Sequence, residues 1–156
     1  MLATYLQFVA ACAILGYCTY TDIKQREISN IACLSLFFVW LAGDVYLVFA
    51  RNFDIANIGF QLLEGVGVLG VMLLVSYLFE RCTGKASFGG GDIKLIAVCC
   101  LFFDVDAFLA FLFISCLLGV GSSLFVEDKT TGFPFAPAIS LSFAVVYIGS
   151  NILTLF

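Results

Sequence analysis

Charge is what this sequence lacks. Only 12% of its 156 residues are Asp, Glu, Lys or Arg, against 63% hydrophobic, where a soluble domain carries roughly 25% charged residues. A water-soluble fold of this length buries about 70% of the surface its unfolded chain exposes and must cover the rest with polar groups. An ordinary soluble fold is therefore excluded, and the apolar excess faces lipid.

Other absences narrow the chemistry. The seven cysteines (12, 18, 33, 82, 99, 100 and 116) include no C-x-x-C pair, so neither a zinc site nor a disulfide framework is indicated and cysteine reads as a small apolar residue. Gly65-Val66-Gly67-Val68-Leu69-Gly70 satisfies G-x-G-x-x-G but lacks the strand and polar βαβ setting of a dinucleotide site; it reads as a face for close helix packing. Gly84-Lys85 lacks the upstream glycine and following Ser or Thr of a phosphate loop, and no basic aromatic surface suggests nucleic acid. The first apolar run has no basic region before it and continues past the Ala11-Cys12-Ala13 pattern, so it is expected to stay as a helix rather than be cleaved as a signal peptide.

What is present is a series of long apolar runs. A spanning helix needs about 20 mostly apolar residues. Met1 to Thr21 has no charge, Ile31 to Ala50 has only Asp44, Ile58 to Phe79 has only Glu64, Leu95 to Val126 is broken only by Asp104 and Asp106, and Phe133 to Phe156 has none. The expectation is an all-α, polytopic membrane protein of six transmembrane helices forming one membrane-embedded domain over residues 1–156. The fourth helix is short, since little chain lies between Asp92 and Asp104, so it must tilt little or draw the bilayer in. Lys24, Arg26, Arg81, Lys85, Lys94 and Lys129 fall on one side and Arg51 alone on the other. Cytoplasmic loops are enriched in Lys and Arg, which places the N-terminus outside and residues about 22–30, 80–92 and 127–132 in the cytoplasm.

Two aspartates then stand out. Asp22 lies where the first run meets a cytoplasmic loop, and Asp92, after Gly89-Gly90-Gly91, lies where the fourth run begins. Folding can bring both to one depth, the geometry a carboxylate pair needs. Such a pair shares one proton: the ionised member takes a proton from attacking water and the protonated member polarises the carbonyl. The three glycines let a substrate backbone or another helix approach closely. Each aspartate also has a plainer reading. Asp92 resembles a helix N-cap, and Asp22 beside Lys24 and Arg26 fits an interfacial ion pair.

The sequence resembles a known family at these residues. Asp22 with Arg26, Ile28 and Asn30, then Gly89-Gly90-Gly91-Asp92-Ile93-Lys94-Leu95, look like the two aspartate motifs of the type IV prepilin peptidases, which belong to the GxGD class of membrane aspartic proteases. Pro134-Phe135-Ala136-Pro137-Ala138 is similar to the family's proline-phenylalanine-small-proline segment. Ser29 stands where proline is common before the Asn, and Ala136 where glycine is frequent. Only residues 23–30 separate Asp22 from Ile31, with no cysteine-bearing insert, so the likeness is to the short, peptidase-only members that serve tight-adherence, Flp-type pili.

The resemblance implies an enzyme of the bacterial cytoplasmic (inner) membrane that removes a short basic leader from a prepilin or pseudopilin precursor at the cytoplasmic face, without metal or cofactor and without N-methylation. Its catalytic residues would be Asp22 and Asp92, with Gly89, Gly90, Gly91, Lys94, Asn30, Pro134 and Pro137 binding substrate or shaping the site. Acidic Glu27, Glu80, Glu127 and Asp128 would attract the basic leader or simply be solvated loop charges. Lys94 reads equally as an interfacial lysine, and Pro134 and Pro137 as a helix start. Helix ends alone give the shared proton to Asp22, at a negative C-terminal end, and leave Asp92 ionised at a positive N-terminal end. The rival class is a non-enzymatic proton-coupled transporter or pilus-assembly subunit in which Glu64, a costly charge within a span, joins the aspartates in a relay.

Overall fold

A computed structural model describes residues 2–51, 54–84, 89–123 and 134–153. All regular structure among them is helical: α1 (Leu2–Gln25), α2 (Asn30–Arg51), α3 (Ile55–Thr83), α4 (Gly90–Cys100), α5 (Val105–Ser123) and α6 (Ala136–Leu153). Lys85, Phe88, Glu127, Asp128, Lys129 and Phe133, with the expected loop at 127–132, lie outside the described residues.

Helix ends follow local chemistry. Asp54 caps α3, its side chain accepting the Ala56 N–H at 3.1 Å. Gly84 closes α3 in the left-handed region at φ 68°, its N–H reaching the Glu80 carbonyl, as expected of a glycine after a helix. At the end of α1 the same left-handed position is taken by Arg26, φ 55°, whose N–H donates to the Asp22 carbonyl at 2.9 Å. The link to α2 is therefore only residues 26–29 long.

Four helices are long and apolar enough to cross a membrane: Thr4–Gln25, Asn30–Ala50, Ile55–Thr83 and Val105–Ser122. At 1.5 Å per residue the 11 residues of α4 make about 16 Å, well short of a hydrocarbon core about 30 Å thick. The apolar stretch Ala136–Ser150 in α6 is also shorter than the four. Phe49 is 85% exposed and Phe60 64%, an outward apolar surface that fits lipid and not water.

The core sits where α1, α2, α4 and α6 meet. α4 packs on α3, α2 and α6; α1 packs on α2 and α6; α5 packs on α6. Leu15, Leu36, Leu95, Ile96, Cys99, Ile139 and Phe143 are buried together, and a run of rings joins Phe103, Phe143, Tyr147 and Phe8. The seven cysteines are free thiols.

Close helix approach occurs where a Cβ would collide. The expected packing face Gly65–Gly70 reduces to Gly65, which is buried and whose Cβ would sit 2.6 Å from the Leu101 side chain, whereas Gly67 and Gly70 face open space. Gly119 on α5 is similarly crowded by the ring of Phe135, so that ring seats the approach to α6. Ser115 and Ser142 share a buried hydrogen bond between α5 and α6. An unbonded hydroxyl away from water is costly, so the pair also selects which faces of these two helices meet.

Candidate active site

Asp22 lies in the last turn of α1 and is 6% exposed. An ionisable group this buried needs partners. It has one from the far end of the chain: the Ala136 N–H donates to Asp22 Oδ2 at 2.9 Å. Ala136 opens α6, and the Phe135 carbonyl accepts from Ala138 and Ile139 behind it. Pro137 has no N–H, so of the first two positions of α6 only Ala136 offers a donor. Asp22 thus does cap a helix, though not its own. Lys24 turns away to the Tyr20 hydroxyl at 3.1 Å.

Asp92 lies in the first turn of α4. The N-cap of that helix is Gly89, with no side-chain capping bond, so the capping reading of Asp92 fails. Burial first, and the charge of Asp22 second, push the Asp92 carboxyl up to about 6, against an ordinary aspartate value of about 3.9. The fold therefore brings the two carboxyls within electrostatic reach.

That geometry bears on the proton assignment made from helix ends. The N-terminus of α6 supplies Asp22 with the positive helix end that the sequence places only at Asp92, and Oδ2 of Asp22 is committed as an acceptor. Asp92 is the carboxyl that burial and its neighbour's charge raise, so it keeps its proton to a higher pH than an ordinary aspartate does. Because the two interact, the proton strictly belongs to the pair.

The glycines divide by function. A Cβ on Gly89 would lie 3.0 Å from Asp92 Oδ2, and one on Gly91 would lie 2.9 Å from Cβ of Ile28 in the α1–α2 link; Gly90 has nothing within 4 Å. Gly89 leaves room for the carboxyl and Gly91 lets α4 dock on the link. Lys94 donates to Asn30 Oδ1 at 3.0 Å, joining α4 to the start of α2, so these two candidates meet each other. Pro134 precedes α6 and Pro137 lies in its first turn. Glu64 lines a cleft of about 360 Å³ with Gly67, Val71, Cys100, Phe103 and Phe108, at the opposite end of α4 from Asp92.

Sequence reasoning missed the donor role of Ala136, a backbone group with no side-chain signature. It also missed Thr19 and Ser140, whose hydroxyls lie 2.8 Å apart between α1 and α6. Nothing in the sequence sets these two apart from the other hydroxyl residues of α1 and α6, such as Thr21 and Ser142.

Residues 9–124 match the model of the type IV leader peptidase family, a stretch that holds both Asp22 and Asp92. This chain belongs to that family. Among curated members, it is 28% identical over 134 residues to a prepilin leader peptidase/N-methyltransferase of Haemophilus influenzae, covering 86% of this chain and 56% of that protein. Against the protein of the same name from Neisseria gonorrhoeae it is 24% identical over 140 residues, covering 89% and 47%. A shorter match to one from Xanthomonas campestris is 36% identical over 82 residues, covering 49% and 29%. The chain spans about half the length of the curated leader peptidases it matches most fully. No solved structure matches it.

Proposed function

We propose that the chain is a prepilin leader peptidase of the bacterial inner membrane, cutting a pilin-like precursor at the cytoplasmic face. The observation that carries this reading is the convergence of Asp22 and Asp92, from α1 and α4, in a family-matched stretch, with Asp92 pushed up to about 6 by burial and by Asp22. Six helices with the N-terminus outside put both aspartates at the cytoplasmic ends of their helices, and the basic residues favour that orientation.

In the mechanism, Asp22, anchored through Oδ2 by the Ala136 N–H, uses its other oxygen to take a proton from water. The water oxygen attacks the scissile carbonyl carbon while Asp92 gives its proton to the carbonyl oxygen. Collapse of the resulting diol returns that proton to Asp92. The proton held by Asp22 passes to the departing nitrogen as the C–N bond breaks. A precursor anchored by its own apolar helix is held at the same depth as the pair, which lowers the entropic cost of encounter.

The α1–α2 link, residues 26–29, carries no inserted cytoplasmic domain at this point of the fold, which is why Flp-type precursors are the first substrates to try. Lys94 and Asn30, bonded to each other at 3.0 Å beside the pair, line the approach for the precursor backbone. Co-expression with a candidate Flp-type precursor tests the reading. A leader-sized mobility shift that requires this chain supports it, and unprocessed precursor across a panel of such substrates overturns it.

A further inference from the structure

A hydroxyl pair ties α1 to α6 one turn from the Asp22–Ala136 contact. Thr19 Oγ1 and Ser140 Oγ lie 2.8 Å apart; Thr19 is one turn before Asp22 on α1, and Ser140 is one turn after Ala136 on α6. Ser140 Oγ is also 2.8 Å from the Ala136 carbonyl on its own helix and 3.1 Å from the Leu15 carbonyl on α1. Ser140 has a single proton to give. It donates to one of these carbonyls while Thr19 donates to Ser140, so both hydroxyls are satisfied within the α1–α6 interface.

The rest of that interface is mostly apolar: Leu15, Ile139 and Phe143 are buried in it, Phe8 stacks on Tyr147 at 4.9 Å, and a further polar contact, the Tyr147 hydroxyl 3.5 Å from the Thr4 carbonyl, is long and lies at the far end of α1 from Asp22. Apolar burial is non-directional and tolerates small sliding of one helix along another. An N–H···O contact tolerates little, since its distance window is only about 2.7–3.2 Å. The 2.9 Å contact between Ala136 N–H and Asp22 therefore needs something directional to hold the register, and the clasp one turn away is placed to do so.

We infer that Ser140, clasped to Thr19, is a positioning residue for the aspartate pair. It fixes the axial register of α6 against α1, so that the Ala136 N–H occupies Asp22 Oδ2 and the second Asp22 oxygen stays turned to the reaction. Ser140 touches neither substrate nor the reacting atoms; it acts through Ala136 and Asp22. The inference deepens the peptidase reading and rests on it for its kinetic arm, while its spectroscopic arm is independent of activity.

The test uses the full chain in lipid nanodiscs, comparing Ser140→Ala, Thr19→Val and the hydroxyl-retaining Thr19→Ser. In the spectroscopic arm, enzyme labelled with ¹⁵N-alanine reports the Ala136 amide shift. Introducing Asp22→Asn is expected to move that resonance in the parent but not in the Ser140→Ala background. Equal movement in both backgrounds, or none in either, overturns the inference. In the kinetic arm, Ser140→Ala and Thr19→Val are expected to lower kcat about ten- to a hundredfold, the scale of a misplaced reacting group, with KM within twofold and a displaced pH–rate profile. Thr19→Ser is expected to stay within threefold of the parent. A fall in activity that only tracks loss of folded protein, with the pH profile unmoved, means that the clasp serves stability alone and overturns the inference. If the parent cleaves no precursor but the amide response behaves as expected, the positioning stands and the peptidase reading falls.

Discussion

Asp22 accepts the backbone N–H of Ala136 at 2.9 Å across 114 positions of chain. The last helix of the fold thus reaches back to the first and commits one oxygen of its buried carboxylate. That leaves the two acids of the site in different circumstances, one anchored by a backbone donor and the other pressed between burial and its neighbour's charge.

Removing either acid is expected to abolish cleavage without preventing membrane insertion. Asp22→Asn and Asp92→Asn keep shape but cannot exchange a proton, so kcat/KM for a precursor falls at least about a thousandfold, near the limit at which loss of an essential acid or base is usually seen. Asp44→Asn on α2 and Asp104→Asn before α5 are expected to stay within about threefold, because neither lies at the site. Precursor processing followed on gels, with membrane fractionation alongside, checks all four.

The pH dependence follows from the sign of the Asp92 displacement. A carboxyl raised to about 6 keeps its proton through the range where an ordinary aspartate has lost it and releases it as pH climbs past 6. If the protonated member polarises the carbonyl, the alkaline limb of the kcat/KM profile is centred near 6 and not near 4. In infrared difference spectra, mutant minus parent just below pH 6, a protonated-carboxyl band should be lost with Asp92→Asn and kept with Asp22→Asn.

Within Gly89-Gly90-Gly91 the middle residue is expected to be the tolerant one. Gly90→Ala meets open space and should retain most activity. Gly91→Ala drives a methyl into Ile28, and Gly89→Ala crowds Asp92 Oδ2; each should lower kcat by about tenfold or more, with Gly91→Ala also lowering thermal stability by roughly 1–3 kcal/mol. Purified variants compared by cleavage rate and melting temperature give the order.

Orientation is checked at Cys82, which is exposed in the last turn of α3. With the N-terminus outside, an impermeant thiol reagent should label Cys82 only after sealed spheroplasts are lysed. Labelling of equal speed in sealed cells inverts the topology and moves both aspartates to the other face.

The sequence announced the helices because lipid forces long runs without charge, and it announced Asp22 and Asp92 because a carboxylate at the end of such a run is conspicuous. It located α4 but not its consequence: Asp92 lies inside the first turn, with Gly89 as the cap. The partner of Asp22 was invisible because it is a main-chain N–H, which every residue but proline carries. The helix-end argument for the proton was incomplete for the same reason, since each aspartate was judged against its own helix while a donor to Asp22 belongs to α6. Gly67 and Gly70 misled in the other direction: small residues permit close approach, but only Gly65 has a helix against it.

The reach from α1 to α6 also sets when the site comes into being. A chain threaded into the bilayer from its N-terminus delivers Asp22 first, Asp92 after three helices have entered, and the Ala136 donor only when α6 begins. Until then Asp22 has no N–H from α6, and the half-inserted protein holds the acids without their finished arrangement. On the peptidase reading, a chain that stops before α6 is expected to carry both acids yet cleave poorly, because Asp22 then lacks the Ala136 donor.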